Sequence, residues 1–196
     1  MLKILENPYI YQASVFLTQI SLKKFKTQIS KEAGFSPRSR VLDVCCGTGN
    51  FADLVKGEYF GFDLNEDYIN YARRRFKNAP NKKFFVEDIN KAEFEGKFFD
   101  NTLIISALHH FSEAEIGAML SKIGRITSGK VIITDPATET KSPIAKLLIS
   151  MDRGGYVRSK DCELELISRF LDVEKSFNFY SGFPCIRMIV CRAKKI

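Results

Sequence analysis

Apolar positions return along this chain with two periods, and the change from one to the other predicts its elements. Between Tyr9 and Ala33, residues Val15, Leu17, Ile20, Leu22, Phe25 and Ile29 fall near 3.6-residue spacing, as in a helix with one buried face. Gly34 ends that helix and Ser36-Pro37 forms the connection. Short apolar runs then alternate with helical stretches. Strands are predicted at Arg40–Cys45, Glu58–Asp63, Lys83–Val86, Phe99–Ser106 and Lys130–Thr134. Helices are predicted at Asn50–Lys56, at Glu66–Lys77 with Tyr68, Ile69, Ala72 and Phe76 inward, and at Glu113–Ile126 with Ile116, Met119, Leu120 and Ile123 spaced to pack.

Strand and helix in alternation make a parallel sheet covered by helices on both faces. The last part of the chain differs. A helix at about Asp161–Phe170 is followed by strands Val173–Tyr180 and Ile186–Arg192, joined through Gly182-Phe183-Pro184. So short a connection requires antiparallel strands, because a parallel crossover needs a dozen residues or more. The predicted architecture is a doubly wound α/β fold: seven strands, five of them parallel, with a C-terminal antiparallel hairpin. No internal repeat, low-complexity run or linker divides the chain, and 196 residues suffice for one domain with a real core.

Composition narrows the class. Hydrophobic residues at 45% and charged residues at 27% are ordinary for a soluble globular protein. No apolar stretch approaches the roughly 20 residues of a membrane span. An acid and a proline interrupt the N-terminal segment where a signal peptide would be apolar, so a cytoplasmic location is expected. The five cysteines lack paired metal-ligand spacing and only two histidines are present, so no metal is expected. Adjacent Cys45 and Cys46 read as small packing residues turned to opposite faces. The formal charge of +7 is concentrated in two groups, at Lys23–Arg40 and at Arg73–Lys83. Either could attract nucleic acid or an acidic surface, but aromatic residues do not interleave with them in a nucleic-acid motif. Solvated helix faces are the favoured reading.

Candidate chemistry begins at "VLDVCCGTGNF", residues 41–51. Gly47, Gly49 and Ala52 have the G-x-G-x-x-A spacing of a dinucleotide loop. In open α/β sheets ligands collect at the carboxyl ends of the strands, and acidic residues recur there: Asp43, Asp63, Asp88 and Asp135. A pyrophosphate wants bare backbone N–H groups with no anion beside them. Asp43 just before the glycines would repel it, whereas a ligand with ammonium and sulfonium cations would be attracted. S-adenosylmethionine (SAM) carries both cations, with adenine and ribose and no phosphate.

These residues resemble the class I SAM-dependent methyltransferases. "VLDVCCGTGNF" looks like their glycine loop, "YFGFDLNEDYINYARRR" their ribose-binding element and "FFVEDI" their adenine element. "FDNTLIISALHHF" and "GKVIITDP" resemble their fourth and fifth strands. The five segments stand in the family's order over about residues 38–136, and the terminal hairpin completes the family's seven-stranded sheet. Asn50 departs from the pattern, standing where many members carry a third glycine. The resemblance implies that Gly47 and Gly49 contact SAM, with Cys46 and Thr48 beside them and Asp43 near its amino group. Asp63 would bind ribose, Leu64 and Ile89 would cover adenine, and Asp88 would take the exocyclic amine. Ser106 and Ala107 would lie near the methionine end. Residues 1–36 would form an N-terminal helical cap on a methyltransferase domain at 37–196.

The acceptor is less legible. His109 and His110, just beyond the fourth strand, are candidates for a general base, and an imidazole titrates near neutral pH. Asp135 belongs to the same edge. A metal arrangement at Asp135, as in catechol methyltransferases, lacks evident further ligands. No N-P-P-Y-like segment follows the fourth strand, and "SALHH" is like small-molecule enzymes of quinone and sterol methylation. The segment "SPIAKLLISMDRGGYVRS" (142–159) has a composition suited to an acceptor lid or to a solvated turn. Its Asp152, Arg153, Tyr156 and Arg158 are candidate acceptor contacts, with Tyr11 from the cap. A small-molecule methyltransferase is expected, O-methylation somewhat preferred. The alternatives are an RNA or protein methyltransferase using the basic groups, and a SAM-binding partner protein without turnover.

Overall fold

In the computed structural model, seven strands hydrogen-bond into one sheet in the order β3-β2-β1-β4-β5-β7-β6. They are β1 (Arg40–Val44), β2 (Glu58–Asp63), β3 (Lys82–Val86), β4 (Asn101–Ile105), β5 (Lys130–Pro136), β6 (Leu171–Tyr180) and β7 (Cys185–Ala193). The first five run parallel, and β7 runs antiparallel to both β5 and β6. The structure describes residues 8–9, 19–96, 98–139, 155–180 and 185–194. Its described helices are α1 (Gln19–Ala33), α2 (Glu66–Arg75), α3 (Glu113–Ile126) and α4 (Lys160–Ser168), none long and apolar enough to cross a membrane.

The alternation along each strand divides the core in two. Val41, Tyr59, Leu103 and Ile132 face one side, where Phe25 and Ile29 of α1 and Ile69 and Ala72 of α2 cover them. Leu42, Phe60, Phe62 and Ile104 face the other, under Ile116, Leu120 and Ile123 of α3 and Leu166 and Ile167 of α4. The sequence thus builds the doubly wound sheet expected from its periods. Cys46 lies within the first cluster and Cys45 packs against the second, on opposite faces.

Several boundaries differ from the sequence reading, each for a local backbone reason. β1 stops at Val44 because Cys45 turns into the left-handed region at a φ of +59°, and β4 stops at Ile105 because Ser106 does the same at +52°. The predicted helix Asn50–Lys56 is only a 3-10 turn at Ala52–Leu54. Val55 is already extended toward β2, and the Lys82 ammonium donates to the carbonyls of Val55 and Gly57 there. A second 3-10 turn, Leu108–His110, carries both histidines and has no counterpart in the hydrophobic pattern.

The reversal of strand order between β1 and β4 is the topological switch point, where a crevice opens at the carboxyl ends of the strands. Both left-handed residues, Cys45 and Ser106, sit at its two sides.

Candidate active site

The chain leaving β1 folds back on β2 through a short series of bonds. The Cys46 N–H donates to the Phe62 carbonyl at 3.0 Å, and the Gly49 N–H to the Cys46 carbonyl at 3.0 Å. The Gly47 N–H donates to Asp63 Oδ2 at 2.8 Å. The other Asp63 oxygen accepts from the Asn65 N–H at 2.9 Å, and Asn65 in turn caps α2 by accepting from the Tyr68 N–H. One carboxylate therefore fixes the glycine loop against the start of α2. Burial holds Asp63 above the ordinary carboxylate range, opposed by the backbone N–H groups of Asn65, Gly47 and Leu64. A carboxylate offers about four acceptor positions, so ribose hydroxyls still have lone pairs to meet. Gly49 has a φ of +72°, and a Cβ there would come within 2.8 Å of the Phe84 ring.

Beside Asp63 lies a cavity of about 150 Å³ at the ends of β1, β2 and β3. Val44, Cys45 and Phe62 line it from the sheet, and Leu64, Asp88 and Ile89 from the loops after β2 and β3. Ile89 is buried and Leu64 exposed. The Asp88 carboxylate accepts from the Asn90 N–H at 2.9 Å, which orients its loop. The remaining wall comes from Phe111, Glu115 and Met119. A capping box sets it: Ser112 Oγ accepts from the Glu115 N–H while Glu115 accepts from the Ser112 N–H. Apolar sides with carboxylates at one end suit a purine ring and ribose.

Asp43 lies beneath the glycine loop and is fully buried. Its Oδ2 accepts from the Tyr59 hydroxyl at 2.5 Å, and its Oδ1 has no hydrogen-bond partner among the described residues. Its pKa is pushed up to about 7, by burial first, with the Tyr59 bond opposing and the Asp63 charge adding. This buried, half-satisfied oxygen is where a cationic ligand group would be welcome. Gly61 makes the arrangement sterically open. It pairs with Asp43 across the strands, and a Cβ there would fall 2.7 Å from Cys46 Sγ and 3.0 Å from the Tyr59 ring.

On the other side of the switch point, Ser106 is exposed and Ala107 buried, and the Ser106 N–H donates to the Thr134 carbonyl at 2.7 Å. The turn that follows buries His109, whose Nδ1 lies 2.7 Å from Asp135 Oδ1 at the end of β5. His110 is exposed, its ring centroid 4.2 Å from that of His109.

Residues 41–129 match the family model described as a methyltransferase domain. Over these residues, a little under half of its length, the chain is similar to methyltransferase domains. A demethylmenaquinone methyltransferase of Staphylococcus saprophyticus is 27% identical over 131 residues, 63% of this chain and 55% of that protein. The match thus spans little more than half of that relative. Among solved structures, a SAM-dependent methyltransferase from Aquifex aeolicus superposes with a TM-score of 0.71 at 18% identity, covering 86% of this chain and 89% of its own. Magnesium protoporphyrin IX methyltransferase from Synechocystis, with S-adenosylhomocysteine bound, superposes with a TM-score of 0.69 at 16% identity, covering 93% and 87%.

The fold brings most of the sequence-derived residues into one crevice. Asp43, Cys46, Gly47, Thr48, Gly49 and Asp63 make the loop and its supports; Leu64, Asp88 and Ile89 line the cavity; Ser106 to Asp135 form the opposite edge. Tyr156 and Arg158 arrive beside the histidine turn, but Arg158 is engaged with backbone. Its guanidinium donates to the carbonyls of Leu108 at 3.2 Å, Phe111 at 2.7 Å and Tyr156 at 2.9 Å. Tyr11, Asp152 and Arg153 lie outside the described residues. Sequence reasoning missed Tyr59 as the partner of Asp43, and the α3 wall of Phe111, Glu115 and Met119. The S-x-x-E at Ser112–Glu115 marked the start of α3, but nothing local marked it as a cavity wall.

Proposed function

We propose that the chain is an enzyme that methylates a small-molecule acceptor, at oxygen in preference to carbon or nitrogen, and that it acts in the cytoplasm. The observation that carries this reading is the buried His109–Asp135 contact at the carboxyl ends of β4 and β5. When bound, SAM would supply an electrophilic methyl group, whose C–S bond would break as the C–O bond to the acceptor forms. The residues of this chain position the reactants and take the proton. With the His109 Nδ1 proton directed to Asp135, Nε2 is the nitrogen that accepts the acceptor's proton. Asp135 orients the ring and stabilises the imidazolium that results. Asp43, beneath the loop, offers its unpartnered oxygen to the cofactor's ammonium, and Asp63 offers its remaining lone pairs to ribose.

A small acceptor accords with the relatives named for demethylmenaquinone and magnesium protoporphyrin IX. It accords too with how the basic groups are used. Lys26 pairs with Asp53, Lys83 with Glu58, Arg73 binds the Phe84 carbonyl, and Arg75 binds Asn50. Cations already engaged by groups of this chain are less available to phosphates.

The test is incubation with methyl-labelled SAM and fractionated metabolite, RNA and protein pools. Label in a small molecule, lost in His109→Ala while SAM still binds by calorimetry, is the expected result. Label in RNA or protein would overturn the acceptor class. Binding without transfer to any pool would make this a non-catalytic SAM-binding protein.

A further inference from the structure

Directly across the sheet from Asp135, β7 places Arg187; the two are partners in the β5–β7 register. Opposed residues of an antiparallel ladder project from the same face, so an arginine rides beside the carboxylate that holds His109. Arg187 is fully buried. One amino group reaches both oxygens of Glu139, at 2.5 and 2.6 Å, and the other reaches Glu163 of α4, which is also buried. Glu163 Oε1 and Arg187 Nε have no hydrogen-bond partner among the described residues.

The same helix is tied to the histidine turn at its approach. Arg158 holds the Leu108 and Phe111 carbonyls, and the Tyr156 N–H donates to the His109 carbonyl at 3.0 Å. Residues 155–163 thus join the 3-10 turn to the β5–β7 pair, and His109 lies between the two attachments.

The charges complete the picture. Facing Glu163 are Arg187 from β7, Asp135 from β5, Glu139 from the turn after it, and Arg158 from the approach to α4. His109 and His110 follow behind Asp135. On the other elements packed against α4, Glu113 of α3 pairs with Arg169, Glu174 of β6 with Arg192, and Lys175 of β6 with Glu32. The carboxylates of Asp135, Glu139 and Glu163 therefore outnumber the Arg187 guanidinium that lies among them. Burial, then the Asp135 charge, pushes Glu163 up to about 7, with Arg187 opposing. Removing a negative charge from such a set disfavours a nearby imidazolium.

We infer that Glu163 and Arg187 are positioning residues for His109: Arg187 anchors Glu163 beside Asp135, and the Glu163 charge favours the protonated imidazole. The proposal deepens the reading of His109 as the base, and its test is independent of activity. The chain has only two histidines, so in a His110→Gln background one ¹⁵N-labelled imidazole remains, and NMR follows its titration alone. Adding Glu163→Gln keeps an oxygen for Arg187 but removes the charge. The His109 midpoint should fall by about half a pH unit or more, and the curve should narrow to one step, as expected when a coupled site is removed. A folded Glu163→Gln protein whose His109 curve overlays its parent's overturns the proposal. Should that variant not fold, Glu163→Ala takes its place, and an unmoved His109 midpoint there overturns the proposal equally. If His109→Ala retains activity while the titration follows Glu163, the base reading fails and the coupling stands.

Discussion

Gly47 and Asp63 are joined by an N–H···O bond of 2.8 Å, so the glycine loop is held by the carboxylate we propose for the cofactor's ribose. The two residues lie sixteen positions apart, Gly47 before β2 and Asp63 at its last position. Loop shape and the proposed ribose contact therefore depend on one side chain.

Asp63→Ala should weaken SAM binding at least tenfold by calorimetry, since hydrogen bonds to a charged group are worth roughly 1.5–3 kcal/mol. Asp63→Asn retains one carbonyl oxygen and should fall between the two. Unchanged affinity in the alanine variant would sink the ribose assignment.

Asp43 should make both stability and binding depend on pH. Its folded-state pKa of about 7 exceeds the ordinary aspartate value of 3.8, so the native state holds the extra proton. Its stabilising contribution is full below about pH 4 and is lost as pH rises through 7, with Asp63, also raised, acting in the same direction. SAM, arriving with a cation, should bind more tightly as pH rises from 6 to 8 and release protons as it binds. Calorimetry in buffers of different ionisation heat reads that release, and Asp43→Asn should remove most of it.

The strand and helix periods were enough to predict the doubly wound sheet, because burial on both faces imposes them directly. The carboxylates at strand ends were legible for a similar reason: Asp63 and Asp88 must stand where a parallel strand stops. The Tyr59–Asp43 bond was not legible, since Tyr59 reads as one more strand aromatic until β1 and β2 are set in register. Arg187 was hidden likewise. It sits in an apolar run, and only the β5–β7 pairing reveals that it faces Asp135. Short 3-10 turns such as Leu108–His110 leave too few residues to show a period.

Cys45 stands at a φ of +59°, which glycine adopts freely and other residues adopt at a cost of about 1–2 kcal/mol. Cys45→Gly should change stability by no more than about 1 kcal/mol, the relief of strain offsetting the added freedom of the unfolded chain. Cys45→Val puts a β-branched residue there and should cost about 2 kcal/mol or more. Urea denaturation of the two variants checks the contrast; equal losses would argue against a left-handed Cys45.

Gly61→Ala should destabilise the fold by about 1–3 kcal/mol, the ordinary cost of an overpacked site, because its Cβ would fall 2.7 Å from Cys46 Sγ. It should also push the Tyr59 ring from Asp43 and shift the pH dependence of SAM binding upward. A variant that melts like wild type and binds with the same pH profile would show that the Tyr59 ring yields without consequence.

β7 lies between β5 and β6, so the sheet's far side is laid down out of chain order. β6 is made earlier yet pairs in the sheet only with β7, and has to wait for a later segment. Arg187 travels on that later strand. The half of the crevice assigned to proton transfer is therefore backed by the last described strand of the chain, whereas the glycine loop grows out of the first.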